Sequence, residues 1–112
     1  MPVYVDRRRI RFRHMVMCHM LADTLAELQA MADNIGADRD WLQVSNGGIP
    51  HYDVPWGDWR VPPRRQHAID AGAIEIGMRE TSALTRRIRS DPDAFYGGAP
   101  PLWLSSGQAI LR

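Results

Sequence analysis

Apolar and polar residues alternate with a period of two near the amino terminus, and this alternation predicts β-structure. Val3–Val5 is a short apolar run that ends at Asp6, so we expect a strand there. Residues 9–14 alternate charged and apolar side chains, a pattern that is typical of an exposed edge strand. The mostly apolar residues 15–20 then predict either a second strand or an extended approach to a helix.

The spacing of apolar residues changes to three and four further along the chain, and it predicts a helix over residues 24–35. Thr24 and Glu27 match a capping box, in which the threonine hydroxyl accepts from the glutamate amide while the glutamate carboxylate reaches back. Gly36 stands where helices commonly end in a left-handed residue. Two further helices and a short strand are predicted at residues 63–71, 79–89 and 73–76, respectively.

Residues 44–63 are rich in proline and glycine, which predicts a long loop of the kind that is often functional. The order of strand, helix, helix, strand and helix predicts a small, single, layered α/β domain with a short, mostly parallel sheet and about three helices. We expect an α/β core domain at residues 1–90. An irregular C-terminal tail at residues 91–112 is expected to pack on this core or on a partner.

The composition fits one soluble globular domain, because the chain has 112 residues of which 45% are apolar and 24% are charged. Cys18 has no second cysteine to pair with, which predicts a reducing, cytoplasmic location. Since neighbours in a strand point to opposite faces, Cys18 is expected to be a buried small hydrophobe and not to act with His19. The chain shows no apolar segment long enough for a bilayer and no signal peptide at its start, so no membrane partner is expected.

Several segments resemble one family in their order and spacing, and they are Val3–Asp6, Met15–Thr24, Glu27–Gly36, Trp41–Gln43, His51–Asp53 and Ala71–Glu75. The chain resembles the uncharacterised bacterial and phage family called domain of unknown function 4031. Family members often carry an aspartate where this chain has Arg7 and a histidine where it has Gln29. The resemblance therefore implies that two potential metal ligands or bases are missing here.

Polar residues stand at or beside the ends of predicted elements, where α/β folds place functional groups. The predicted catalytic residues are Asp6, His19, Asp23, His51 and Asp53. Imidazoles and carboxylates together can hold a divalent metal ion, which makes hydroxide available near neutral pH. The predicted metal ligands are His19, His51 and Asp53. Without a metal ion, a histidine acts as a general base that an aspartate orients.

The spacing of His51 and Asp53 supports such a site, because residues two apart share one face of an extended segment. Purely structural roles compete with it for the other three residues. Asp23 can cap the first helix, and Asp6 can hold a turn. His19 can be a hydrogen-bonded core residue.

All fourteen basic residues are arginine, and five of them lie within residues 7–13. On a strand, one face would carry the predicted anion-binding residues Arg7, Arg9, Arg11 and Arg13. Guanidinium groups suit the phosphates of a nucleotide or nucleic acid, and equally an acidic host protein. The same charges can instead protect a solvated edge strand. The net charge of +1 argues against bulk nucleic-acid binding.

Three tryptophans are predicted interface residues, namely Trp56, Trp59 and Trp103. The first two can stack on a base, close a lid, pin their loop to the body or lie in a subunit contact, so an oligomer is one expectation. The apolar tail around Trp103 can wrap the parent domain or bind another chain.

Two classes of function follow from these residues. The first is a metal-assisted phosphoester hydrolase that acts on a nucleotide or a nucleic acid. The second is a non-catalytic binding protein, such as a phage-encoded modulator or inhibitor that docks on a host defence protein or nucleic-acid complex. The predicted convergence of histidine and aspartate favours the first class. The missing acid at Arg7 and the missing histidine at Gln29 favour the second.

Overall fold

The structure is a computed structural model that describes residues 2–98. In this part of the chain, strands β1 to β6 cover Val3–Val5, Ile10–Phe12, Met15–Ala22, Gln43–Val44, Pro50–Pro55 and Ile74–Glu75. Helices α1 to α4 cover Leu25–Asn34, Arg64–Asp70, Met78–Ser90 and Pro92–Tyr96, and a single 3-10 turn covers Arg39–Trp41. None of the helices described is long and apolar enough to cross a membrane.

Strand β3 is the centre of the sheet, whose strand order is β4-β5-β3-β1-β6. Strands β1 and β2 both pair antiparallel with β3, and β5 pairs antiparallel with it on the other side. Only β1 and β6 run parallel among the described strands. The predicted mostly parallel sheet is therefore wrong, and the sheet is mixed and mostly antiparallel. The tight β2–β3 hairpin explains part of this, because Arg13 adopts a φ of 57° and reverses the chain.

Both faces of the sheet are covered by helices. Side chains along β3 point alternately to the two faces, so each face contributes apolar residues to a core of its own. One core lies between the sheet and helices α1 and α2, and it contains Val5, Cys18, Met20, Leu28, Tyr52 and Ala68. A smaller core lies between the opposite face and helices α3 and α4, and it contains Leu21, Ile49, Leu84, Ile88 and Phe95. The α3 and α4 side is the one that carries the candidate site described below.

The local prediction for α1 is confirmed. Thr24 is the residue before the helix, and its hydroxyl accepts a hydrogen bond from the Glu27 amide at 3.2 Å. Leu28 is fully buried against the sheet. The capping box therefore starts the helix where the apolar stripe begins.

Four of the described elements were not predicted, and they include the 3-10 turn at Arg39–Trp41 and the short strand β4. Strand β5 lies within the proline-rich region that predicted a loop, because its prolines stand at its two ends and leave the middle free to pair. Helix α4 lies in the predicted irregular tail, where Asp91 accepts from the Ala94 amide and Phe95 is buried. The rest of that tail, including Trp103, lies outside the described residues, so its predicted packing stays a prediction.

Candidate functional site

Three polar residues stand side by side across the middle of the sheet. His19 in β3 is the direct cross-strand neighbour of Asp53 in β5. Asp6 follows β1 on the other side, and its amide donates to the His19 carbonyl at 3.0 Å. His51 precedes Asp53 by two residues in the same strand. Cross-strand neighbours, and residues two apart in a strand, share one face, so the four side chains meet there.

Each of the two imidazoles forms a hydrogen bond through its Nδ1 atom. The Nε2 atoms of both rings are then directed at the carboxylate of Asp53. His19 Nδ1 lies 2.7 Å from Asp6 Oδ2, and His51 Nδ1 lies 2.9 Å from the Ile49 carbonyl oxygen. A carbonyl only accepts, so the Nδ1 of His51 carries the hydrogen and its Nε2 presents a lone pair. The Nε2 atoms of the two histidines lie 3.9 Å and 3.7 Å from Asp53 Oδ1.

Asp53 Oδ1 is the unusual atom of this cluster, because it is buried and has no hydrogen-bond partner among the described residues. A carboxylate oxygen in that state is costly unless something positive compensates it. The three ligand atoms of His19, His51 and Asp53 all lie within 4.8 Å of one another. Two donors at about 2.0–2.2 Å from a tetrahedral zinc ion lie about 3.3–3.6 Å apart, so the two Nε2–Oδ1 distances of 3.9 Å and 3.7 Å need to shorten by only a few tenths of an ångström. These residues therefore fit a divalent ion held by two imidazoles and one carboxylate.

Asp6 acts on the cluster through His19. Its hydrogen bond raises the pKa of His19 against the opposing effect of burial. Burial alone would raise the pKa of Asp6, but hydrogen bonds from His19 and the Arg8 amide outweigh it and lower that pKa. Burial lowers the pKa of His51, so this ring is the more readily neutral of the two. A carboxylate behind a histidine is the usual outer partner that orients a metal ligand.

A cleft of about 390 Å³ opens in front of the cluster. Its walls include Asp6, His19 and His51 on one side and helix α3 on the other, and Leu21 and Ile49 contribute apolar surface. Small-molecule sites typically occupy about 300–1,000 Å³ and combine apolar walls with a few polar groups. The cleft therefore gives a ligand direct access to His19 and His51, whereas Asp53 does not line it.

Asp23 lies apart from this cluster and does not line the cleft. Its carboxylate accepts from the Tyr4 hydroxyl at 3.1 Å and pairs with Arg87 of α3. These contacts join the end of β3 to α3, which gives Asp23 a structural role in the described part of the chain.

The arginine run does not form one surface. Arg7 lines the cleft but pairs with Glu75 at 3.4 Å. Arg9 packs on Trp56, and Arg13 lies in the hairpin turn. Only Arg11 of the four lies in a strand, because β2 is three residues long. The rule that alternate residues share a face therefore does not extend over the whole run.

Trp56 is held between two guanidinium groups. The Cζ atom of Arg9 lies 3.9 Å from the centroid of the indole ring, and the Cζ atom of Arg65 lies 3.7 Å from it. Its indole nitrogen donates to the Arg8 carbonyl at 2.9 Å. The ring therefore fastens the segment after β5 to the body. Trp59, in contrast, is 88% exposed, and its ring has the Arg60 guanidinium group 5.1 Å from its centroid.

Sequence reasoning missed Arg65. Its side chain is buried, and its Nε and Nη2 atoms donate to the Asp6 carbonyl at 3.2 Å and 3.0 Å. It also pairs with Glu75. Arg65 thus holds the backbone of the residue that orients His19. Nothing in the sequence distinguishes it from its neighbour Arg64, which forms no such contact with Asp6.

Two further residues lie away from the site. The thiol of Cys18 is fully buried on the face opposite His19, and burial raises its pKa to about 12. Gln29 on α1 accepts a hydrogen bond from the hydroxyl of Tyr52, which is also on that opposite face. The residue at position 29 therefore does not face the cluster, so a glutamine there removes no ligand from it.

Comparison with known proteins identifies a family but no activity. No curated protein and no solved structure matches the chain. A family model described as protein of unknown function (DUF4031) matches residues 3–88. The matched range includes all six strands and the four residues of the cluster. Because this match covers well over half of the chain, the protein belongs to the DUF4031 family.

Proposed function

We propose that this protein is a metal-assisted phosphoester hydrolase that acts on a nucleotide or a nucleic acid. One observation carries the proposal, namely the buried Asp53 Oδ1 atom that lacks a hydrogen-bond partner among the described residues. It lies between the Nε2 atoms of His19 and His51. A divalent cation would compensate this oxygen and use both nitrogen lone pairs.

The residues of the site have two roles, which are to hold the metal ion and to orient its ligands. His19, His51 and Asp53 hold the ion, which supplies Lewis acidity and makes hydroxide available near neutral pH. Asp6 and the Ile49 carbonyl orient the two imidazoles through their Nδ1 atoms. In hydrolysis, the oxygen of one water bonds to phosphorus, the phosphorus–ester oxygen bond breaks, and the leaving oxygen takes up a proton.

The charge around the cleft supports an anionic substrate. Arg8 lines the cleft next to the cluster, and its side chain forms no ion pair with an acid of residues 2–98. A guanidinium group can bind two phosphate oxygens at once. Arg8 therefore provides a contact for the phosphate close to the three proposed ligands.

The test measures metal binding and hydrolysis separately. Protein purified without a histidine tag is stripped with EDTA and titrated with Zn²⁺, Mn²⁺ or Mg²⁺ in a calorimeter. The release of p-nitrophenolate from p-nitrophenyl phosphate and bis(p-nitrophenyl) phosphate is then followed with each metal. We expect one metal to bind with a stoichiometry near one and to support turnover of at least one ester.

Two variants and one control sharpen this test. His51→Ala removes a proposed ligand and should abolish both metal binding and turnover. Asp6→Asn changes only the outer partner of His19 and should weaken metal binding by about 10–100-fold. His67→Ala removes an exposed histidine of α2 and should change neither property. Absence of metal binding in the unmodified protein, or equal losses in His51→Ala and His67→Ala, would disprove the proposal.

A second candidate function rests on exposed residues that do not line the cleft. Trp59 is 88% exposed and Phe12 is 49% exposed, and Arg11 lies beside Phe12 on the hairpin. Aromatic and arginine side chains are enriched in protein interfaces. These residues support a non-catalytic binding protein that docks on a host protein or nucleic-acid complex, through acidic groups or phosphates.

This candidate is separated from the hydrolase by its own variants. Fluorescence anisotropy with a labelled single-stranded DNA is measured for the unmodified protein, Trp59→Ala and Arg11→Ala at low and moderate salt. Binding that weakens in both variants and with rising salt supports a nucleic-acid partner. Binding that neither variant changes excludes both residues from the contact.

A further inference from the structure

The cleft has a second polar end, which is built by helix α3 and is separate from the histidine cluster. Residues of α3 at successive turns line the cleft, and they are Met78, Thr81, Thr85 and Arg89. Leu84 and Ile88 of the same helix are buried in the smaller core. The helix thus turns its apolar side to the core and its Thr81, Thr85 and Arg89 side chains to the cleft. Both threonine hydroxyls donate to backbone carbonyls of the chain at or before α3, which leaves Arg89 as the donor of this end.

Arg89 is the charged group of this end. Its Nη1 atom lies only 3.0 Å from the position that a Cβ atom would take on Gly47, in the turn between β4 and β5. This places the guanidinium group over that turn, which also lines the cleft. Among residues 2–98, Arg89 has no ion pair or hydrogen bond through its side chain. Arg87, by contrast, is neutralised by Asp23.

Between the two ends the cleft has apolar walls. Leu21 and Ile49 form buried apolar surface in the cleft. Met78, which is 73% exposed, lies at the start of α3 next to Gly77 and Arg7, and therefore at the end away from Arg89. The volume of about 390 Å³ is near the lower end of the range of small-molecule sites. Such a space suits the flat organic part of a small ligand, with polar groups at each end.

The arginines outside the cleft do not extend it into a groove for a polymer. Proteins that bind single strands track the backbone with a continuous basic groove. Arg11 pairs across the hairpin with Val16, so it points to the sheet face opposite His19. Arg9 is engaged with Trp56. A strand that ran out of the cleft would not meet these charges.

We infer that the cleft binds a nucleoside monophosphate, with its phosphate beside Arg8 and the histidine cluster and its base at the Arg89 end. The base would lie on Leu21 and Ile49, and Arg89 would donate to its hydrogen-bond acceptors. This inference rests on the proposed function, since it narrows the substrate from nucleotide or nucleic acid to a free nucleotide.

The test is direct binding to the full-length protein, measured by calorimetry with and without added Mn²⁺. The probes are the 5′-monophosphates of adenosine, guanosine, cytidine and uridine, and a ten-residue single-stranded DNA. We expect at least one mononucleotide to bind more tightly than the DNA. Arg89→Ala should weaken that binding about tenfold or more, which is the effect of one charge-assisted hydrogen bond. Arg89→Lys should restore part of it.

Arg86→Ala is the matched control, because Arg86 lies on the exposed side of the same helix and does not line the cleft. It should bind the nucleotide like the unmodified protein, and circular dichroism should show the same helix content in all variants. Failure of every mononucleotide to bind, or equal effects of Arg89→Ala and Arg86→Ala, would overturn the inference.

The two proposals fail in different ways. If metal binds and esters are hydrolysed but no mononucleotide binds, the hydrolase stands and the substrate assignment is wrong. If a mononucleotide binds with the expected dependence on Arg89 but no metal binds, the assignment of the cleft stands and the hydrolase is wrong.

Discussion

Replacing Asp53 with asparagine isolates the feature on which the proposed metal site depends. The change keeps the shape of the side chain but removes the negative charge. In the structure, Asp53 Oδ1 faces the Nε2 atoms of His19 and His51 and has no hydrogen-bond partner among the described residues. An asparagine amide could donate to a neutral imidazole nitrogen, so without metal the variant should be at least as stable as the unmodified protein.

With metal bound, the unmodified protein should instead be more stable than the Asp53→Asn variant. An ion that binds only the folded state at a hundred times its Kd adds about 2.7 kcal/mol to the free energy of unfolding. For a domain of this size, 1 kcal/mol corresponds to roughly 4 °C in the melting temperature, so the unmodified protein should melt about 10 °C higher. Asp53→Asn loses one of three donors and the only charged one, and we expect it to lose most of this shift.

The assay is differential scanning calorimetry of EDTA-treated protein over a series of Zn²⁺, Mn²⁺ and Mg²⁺ concentrations. Asp70→Asn is the control, because Asp70 is an exposed carboxylate of α2 that accepts from Gln66 and lies outside the cluster and the cleft. It should keep the whole metal-dependent shift. The reasoning is refuted if Asp53→Asn retains that shift, or if it melts well below the unmodified protein in EDTA. The second result would mean that a protonated histidine, and not a metal ion, compensates Asp53.

The remaining predictions concern packing and reactivity. Leu28→Ala should lower the free energy of unfolding by about 2–5 kcal/mol, because it opens a cavity. Thr24→Ala should cost only about 0.5–2 kcal/mol, because it loses one helix cap. Urea melts that give equal effects would contradict the placement of α1. Burial raises the pKa of Cys18 to about 12, so the native thiol should resist Ellman's reagent at pH 8 and react once urea unfolds the chain. Rapid reaction of the native protein would show that the thiol is accessible. Trp56→Ala should cost about 2–4 kcal/mol in urea melts, because its ring packs between two guanidinium groups. Trp59→Ala should change stability by less than about 0.5 kcal/mol, and a larger loss would place its ring inside the fold.

Local features of the chain could be predicted from the sequence because they depend on neighbours a few residues apart. The capping box at Thr24 and the apolar stripe of α1 are both of this kind. The shared face of His51 and Asp53 also follows from their spacing, and the structure confirms that they lie in one strand. The opposite directions of Cys18 and His19 were predicted on the same ground.

The tertiary structure decided how these local pieces meet. Strand order and direction depend on pairing between distant segments, which the spacing of residues does not encode, and this is why the mostly parallel sheet was wrongly predicted. The pairing of β1 and β5 with β3 places Asp6 and Asp53 on either side of His19. Asp23, at the end of β3, forms an ion pair with Arg87 of α3 instead.

Burial separated arginines that the sequence could not tell apart. Arg65 became a buried partner of the Asp6 backbone, whereas Arg89 faces the cleft with no ion pair among residues 2–98. Whether a guanidinium group is paired, stacked or free depends on which distant carboxylate, carbonyl or ring the folded chain brings within a few ångströms of it. That distance is set by the packing of strands and helices, so only the tertiary structure could assign these roles.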